Sequence, residues 1–241
     1  MTATALRGRE VLVDRLRSFR AAAYERGNLP GESGKPIDCW PAGVTAPAGE
    51  HLREVIIREG CARTIETGLG LGLATLWIAD GLLSQPEHAA LEHVTIDPHQ
   101  VWCDHAGVRT VREAGMEPFT RVLLEESCLA LPRLLEQKAK FDLAFIDGAH
   151  HFDHKYLDVF YALRLVRPGG LVVLDDHWLP ATQMILAFFT TNLGIKLEMP
   201  DPDHPGARFA YLRVPRQWPQ REWNHYVEFS RDTLPPFPWR K

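Results

Sequence analysis

Cysteine is scarce and scattered. Cys39, Cys61, Cys103 and Cys128 are the only four in 241 residues, and no two of them form a CxxC pair. That excludes a disulfide-built scaffold and offers no structural zinc pattern; reduced thiols in a cytoplasmic protein are expected. No apolar run approaches the ~20 residues of a membrane span. Arg9, Glu10, Asp14 and Arg15 stand where a signal peptide would need an apolar block. A basic excess is missing too. The 27 Lys and Arg against 31 Asp and Glu leave a formal net charge of −4, which argues against a nucleic-acid partner. Internal repeats are not evident.

What is present is core material. Hydrophobic residues make up 45% and charged residues 24% of the chain, enough apolar content for a sizeable core and too little charge for disorder. Apolar positions at helical spacing predict a helix over 7–26, and a Gly- and Pro-rich loop or lid follows over 28–48. A second helix is expected over 48–59. Short β-branched runs then alternate with helical stretches. Strands are expected at 62–67, 93–97, 120–124, 141–147, 171–175, 195–199 and 209–214. Helices are expected at 73–83, 100–114, 129–138, 154–165 and 181–193. The pattern predicts an α/β fold, doubly wound and Rossmann-like, with a mostly parallel seven-stranded sheet. The last two strands are too close for a helical crossover, so the final strand is expected to be antiparallel. Residues 1–60 read as N-terminal helices and lid, 61–214 as the core, and 215–241 as an aromatic tail. That tail, with Trp218, Trp223, Tyr226, Phe229, Phe237 and Trp239, can pack on the body, cover the site or meet a second subunit in a homodimer.

Glu66-Thr67-Gly68-Leu69-Gly70-Leu71-Gly72 lies between the first core strand and its helix. The dinucleotide fingerprint G-x-G-x-x-G fails here, because its third glycine falls on Leu73 or Thr75. The acidic-x-G-x-G-x-G spacing instead resembles the first motif of class I methyltransferases. That resemblance implies a loop whose backbone cradles the methionine part of S-adenosylmethionine (SAM). Asp97 ends the next strand, where a carboxylate can accept the ribose hydroxyls of an adenosine. By the same resemblance Glu126 and Ser127, after the third strand, meet the adenine; their plain structural reading is a helix start.

Asp147 ends the fourth core strand, and Asp175 and Asp176 end the fifth. In a parallel sheet such ends converge at one edge, and three carboxylates there repel one another unless a cation neutralises them. Mg²⁺, a hard ion that takes oxygen ligands, suits the set. Phe145-Ile146-Asp147-Gly148-Ala149-His150, Arg167-Pro168-Gly169-Gly170 and Leu174-Asp175-Asp176-His177 resemble elements of macrocin-type sugar and natural-product O-methyltransferases. They are also similar in layout to metal-dependent catechol-type enzymes. The resemblance covers residues 62–214. It implies Asp147, Asp175 and Asp176 as metal ligands, and His150 as the base that takes a hydroxyl proton, with Asp147 beside it in catalysis. His177 is a second base or a substrate contact. The expected function is methyl transfer from SAM to a hydroxyl of a small molecule, assisted by Mg²⁺, without nucleic acid or membrane. The alternatives are a metal-independent N-methyltransferase and a non-catalytic SAM-binding or partner-binding subunit.

Overall fold

The computed structural model describes residues 3–40, 42–85, 90–200 and 204–234, with side chains from residue 8 onward. Asp201, Pro202 and Asp203 of the expected strand link, and Phe237 and Trp239 of the tail, lie outside them. The helices are α1 (Ala3–Arg26), α2 (Ala46–Arg58), α3 (Leu73–Leu83), α4 (Ala106–Glu113), α5 (Ser127–Glu136), α6 (Phe152–Leu165) and α7 (Pro180–Leu193). The strands are β1 (Asn28–Pro30), β2 (Pro36–Asp38), β3 (Arg63–Thr67), β4 (Glu92–Ile96), β5 (Thr120–Leu123), β6 (Phe141–Ile146), β7 (Val166–Leu174), β8 (Lys196–Glu198) and β9 (Ala210–Arg213). Seven strands form the main sheet in the order β5-β4-β3-β6-β7-β9-β8. The α/β, mostly parallel architecture expected from the alternation is the one observed. Among the described residues no helix is long and apolar enough to cross a membrane.

Two compact units divide the chain at Glu126/Ser127. In the first, β3, β4 and β5 are parallel. All eleven residues of α3 are buried, as its apolar sequence requires: a helix hydrophobic all round must be covered all round. It packs against α1 and α2. In the second unit β6 and β7 are parallel, and β9 runs antiparallel to both β7 and β8. β6 and β7 are buried along consecutive rather than alternate positions, the mark of strands covered on both faces. The tail leaves Trp223 95% exposed, while Phe229 packs on Phe188 and Asn192 pairs with the Val227 backbone.

Two local expectations change. The loop over 28–48 contains an antiparallel hairpin, β1–β2. The helix expected over 100–114 breaks into a 3-10 turn (Gln100–Cys103) and α4, because Asp104 and His105 adopt left-handed backbone angles. The cause is tertiary. The Asp104 carboxylate accepts from the Ser33 amide and hydroxyl at 2.9 and 2.5 Å, which pins the hairpin there.

α1 is fastened to α3 by charge. Asp80, buried in α3, receives Arg17 and Arg20 from α1 at 2.9 and 2.7 Å and Arg53 from α2 at 3.0 Å. Burial pushes this carboxyl up, and the three arginines overcome burial and hold it at about 2. A depressed carboxylate pKa contributes stability above its unfolded value, lost as pH falls through the folded one. Urea unfolding should therefore show Asp80→Asn destabilised by about 2 kcal/mol at neutral pH. The difference from the parent should shrink between pH 4 and about 2; an unchanged unfolding midpoint at neutral pH would contradict the assignment.

Candidate active site

The glycine turn of the first unit follows β3 directly. Gly68, Gly70 and Gly72 have φ of 92°, 51° and 85°, a left-handed series that side chains rarely adopt. Asp97, buried just after β4, latches the turn. Its Oδ2 accepts the Gly70 amide and the Gln100 side-chain amide, each at 2.8 Å, and its Oδ1 accepts the His99 amide at 2.7 Å. A carboxylate has about four acceptor positions, so these bonds leave capacity for one more donor. The Gln100 amide also donates to the Gly70 carbonyl at 2.8 Å.

Glu66 lies fully buried at the end of β3. Its Oε2 accepts the Thr75 hydroxyl at 2.7 Å and stands 3.1 Å from His93 Nε2. His93 Nδ1 meets the Thr64 hydroxyl at 2.9 Å. The other oxygen of Glu66, Oε1, has no protein partner among the described residues. Glu126 and Ser127, around the start of α5, are partly buried.

The second unit gathers the remaining acids. One oxygen from each of Asp147, Asp175 and Asp176 lies within 4.8 Å of the other two. Asp147 follows β6, and Asp175 and Asp176 follow β7. Asp176 sits at φ 55°, a conformation costly for a non-glycine residue and held here by its surroundings. Burial, then the charges of Asp175 and Asp176, push the Asp147 carboxyl well above the usual range, against the pull of Lys155 and Arg208. Burial and Asp175 push Asp176 up as well.

His150 stands 52% exposed with Nε2 3.5 Å from Asp176 Oδ2. It lies in the turn before α6, whose N-cap is His151, so His150 and His154 do not form a helical i, i+4 pair. His177 is buried, its Nε2 2.6 Å from the Ala207 carbonyl, and burial pulls its pKa down. A neutral His177 braces the chain before β9.

Several residues of these sites went unread in the sequence. Arg208 donates from Nε to Asp175 Oδ1 at 2.6 Å and from Nη2 to Asp175 Oδ2. Lys155, fully buried in α6, donates to the Asp175 carbonyl at 2.9 Å. Together they offset two of the three carboxylate charges. Gln100 and Gly107 brace the glycine turn; a Cβ on Gly107 would stand 2.3 Å from the Gly70 carbonyl oxygen. Gly107→Ala is therefore expected to lower stability by ~1–3 kcal/mol in urea unfolding, the usual range for overpacking. Parent-like stability would show that the contact relaxes without cost.

The comparisons with known proteins agree with this geometry. Residues 65–177 match a family model described as a methyltransferase domain. A protein of Mycobacterium sp. (strain JLS), provisionally named an O-methyltransferase, is 32% identical over 136 residues, which are 55% of this chain and 57% of that one. The catechol O-methyltransferase of Niastella koreensis is 32% identical over 152 residues, 62% of each chain. The chain spans 57%, 55% and 58% of the first three curated relatives it matches. Among solved structures, an O-methyltransferase from Bacillus cereus in complex with SAH superposes with a TM-score of 0.58 at 20% identity, covering 85% of this chain and 90% of that one. An O-methyltransferase of Streptomyces achromogenes involved in tomaymycin synthesis, in complex with SAM, gives 0.57 at 22% identity, covering 72% and 82%. The likeness to these structures is one of fold. With the glycine turn, the latched Asp97 and the strand order already in place, the chain is similar over residues 65–177 to a methyltransferase domain.

Proposed function

We propose that this chain transfers the methyl group of SAM to a hydroxyl oxygen of a small molecule, with Mg²⁺ assisting at the acidic centre. The observation that carries the reading is the clustering of Asp147, Asp175 and strained Asp176 at the ends of β6 and β7, in a chain whose 65–177 segment matches a methyltransferase domain. Donor binding falls to the glycine turn and the polar residues read with it. The turn at Gly68–Gly72 offers its backbone to the methionine part, Asp97 has one acceptor position left for a ribose hydroxyl, and buried Glu66 keeps Oε1 unbonded. Glu126 and Ser127 are the candidates for the adenine.

Acceptor chemistry falls to the second unit. The donor set fits a hard divalent ion: three carboxylates, one of them on strained backbone. Asp147, Asp176 and Asp175 would hold it, and a bound divalent ion lowers the pKa of a nearby hydroxyl. The acceptor oxygen attacks the sulfonium methyl, the new O–C bond forms as the S–C bond breaks, and the sulfur leaves as a neutral thioether. His150 takes the hydroxyl proton. Its exposure lets the proton pass on to water, and Asp176 at 3.5 Å stabilises the imidazolium. One observation favours a metal-independent variant of this reaction: Arg208 and Lys155 already supply two positive charges to the centre.

Two measurements test the reading together. In calorimetry SAM should bind the parent, and Asp97→Ala should weaken binding about tenfold or more, the scale of a lost hydrogen bond to a charged group. With labelled SAM and catechol as the first acceptor tried, Asp147→Asn should lower methyl transfer by about 100-fold or more. Chelation should abolish transfer and Mg²⁺ restore it. A parent that binds no SAM contradicts the function, and full activity after rigorous chelation contradicts the metal's part in it.

A further inference from the structure

The chemistry above leaves Arg208 as a partner of Asp175 with no part in the reaction. It closes the 3-10 turn Pro205–Arg208 just before β9. The turn is fixed at its neighbours: the Ala207 carbonyl accepts from His177 Nε2 at 2.6 Å, and the Gly206 amide donates to His204 Nδ1 at 3.0 Å. The guanidinium therefore arrives on a braced backbone. It covers both oxygens of Asp175 and reaches Asp176 Oδ1 at 3.4 Å. Trp178 flanks it, with the ring centre 5.5 Å from the guanidinium carbon.

We propose that Arg208 is a tethered counter-cation that competes with a divalent ion for Asp175 and so sets the ion affinity of the acidic centre. The inference rests on the ion site proposed above. A planar guanidinium fork matches a carboxylate edge with two parallel bonds. While it does so, Asp175 Oδ1 accepts from Arg208 and from the Asp176 amide and Oδ2 accepts from Arg208, so at most one acceptor position of Asp175 is left for an ion, and Asp147 and Asp176 are the carboxylates with more capacity. Lys155 acts differently. Its ammonium donates to the Asp175 backbone carbonyl, so it adds charge without covering a carboxylate oxygen. Arg208 thus both repels an ion by its charge and occupies ligand atoms the ion would use. The chain holds an internal cation of fixed affinity against an exchangeable one, and the empty centre is not left with three uncompensated acids.

The test titrates Mn²⁺ into the free protein, without SAM or acceptor, and follows unbound Mn²⁺ by electron paramagnetic resonance. Arg208→Gln removes the competing charge and should bind Mn²⁺ about tenfold tighter or more. Arg208→Lys keeps a charge but cannot bridge both Asp175 oxygens, and its affinity should fall between the other two. Circular dichroism establishes that each variant is folded; if Arg208→Gln is not, the Arg208→Lys comparison decides. Equal or weaker Mn²⁺ binding by a folded variant overturns the proposal, as does an absence of binding by parent and variants up to millimolar Mn²⁺. SAM calorimetry on the same samples keeps the two readings apart. A failure of the methyl-transfer reading removes the SAM signal and leaves the order of Mn²⁺ affinities as it was.

Discussion

Three carboxylates held within 4.8 Å of one another are the constraint around which the second unit is organised. Two like charges at that separation repel by roughly 3–4 kcal/mol at the effective dielectric of a protein, so the arrangement persists only with compensation. The chain supplies part of it. Lys155 is buried whole in α6 and pays its own desolvation, which pulls its pKa down, to stand beside Asp175. Arg208 adds the second charge from a turn braced by His177. One negative charge stays uncompensated, and burial together with the neighbouring carboxylates raises the pKa values of Asp147 and Asp176. A residual charge with open oxygen atoms is what an exchangeable ion or a polarised acceptor requires.

The first unit solves a different problem, that of holding a glycine turn in one conformation. Three left-handed glycines permit the turn but do not fix it, since glycine loses more freedom on folding than any other residue. Asp97 and Gln100 fix it by bonding the amide and carbonyl of Gly70, and α4 closes on it at Gly107. Beneath it, Thr64, His93, Glu66 and Thr75 form a chain of buried polar contacts. Buried polar groups are tolerated when satisfied, and such networks rigidify the place where they occur. Within this network the Oε1 of Glu66 has no protein partner among the described residues, and a buried acceptor left open is free to take a donor from a ligand or a water.

Much of this was legible in the residues. The seven strands announced themselves by length and β-branched content, and the acids after β6 and β7, expected to converge, do lie together. The glycine spacing separated a SAM-type turn from a dinucleotide one. What could not be read was which cations meet which acids. Lys155 follows two His and an Asp at the start of an amphipathic helix, where a lysine ordinarily faces water. Arg208 stands in Gly-Ala-Arg-Phe, a context without a signal, and reaches Asp175 across more than thirty residues of chain. The break at Asp104–His105 was hidden for the same reason: it depends on Ser33, some seventy residues earlier. Local pattern reports periodicity and turn chemistry; pairings of charge across the fold are set by topology.

The central claim is that the turn after Thr67 holds the methyl donor while the acids after β6 and β7 serve the acceptor. A crystal of the protein grown with SAM and soaked in Mn²⁺ tests it most directly. The account predicts SAM on the Gly68–Gly72 backbone with its ribose at Asp97, and an anomalous peak bounded by Asp147 and Asp176. SAM bound away from the glycine turn, or no peak at the three carboxylates, would contradict it.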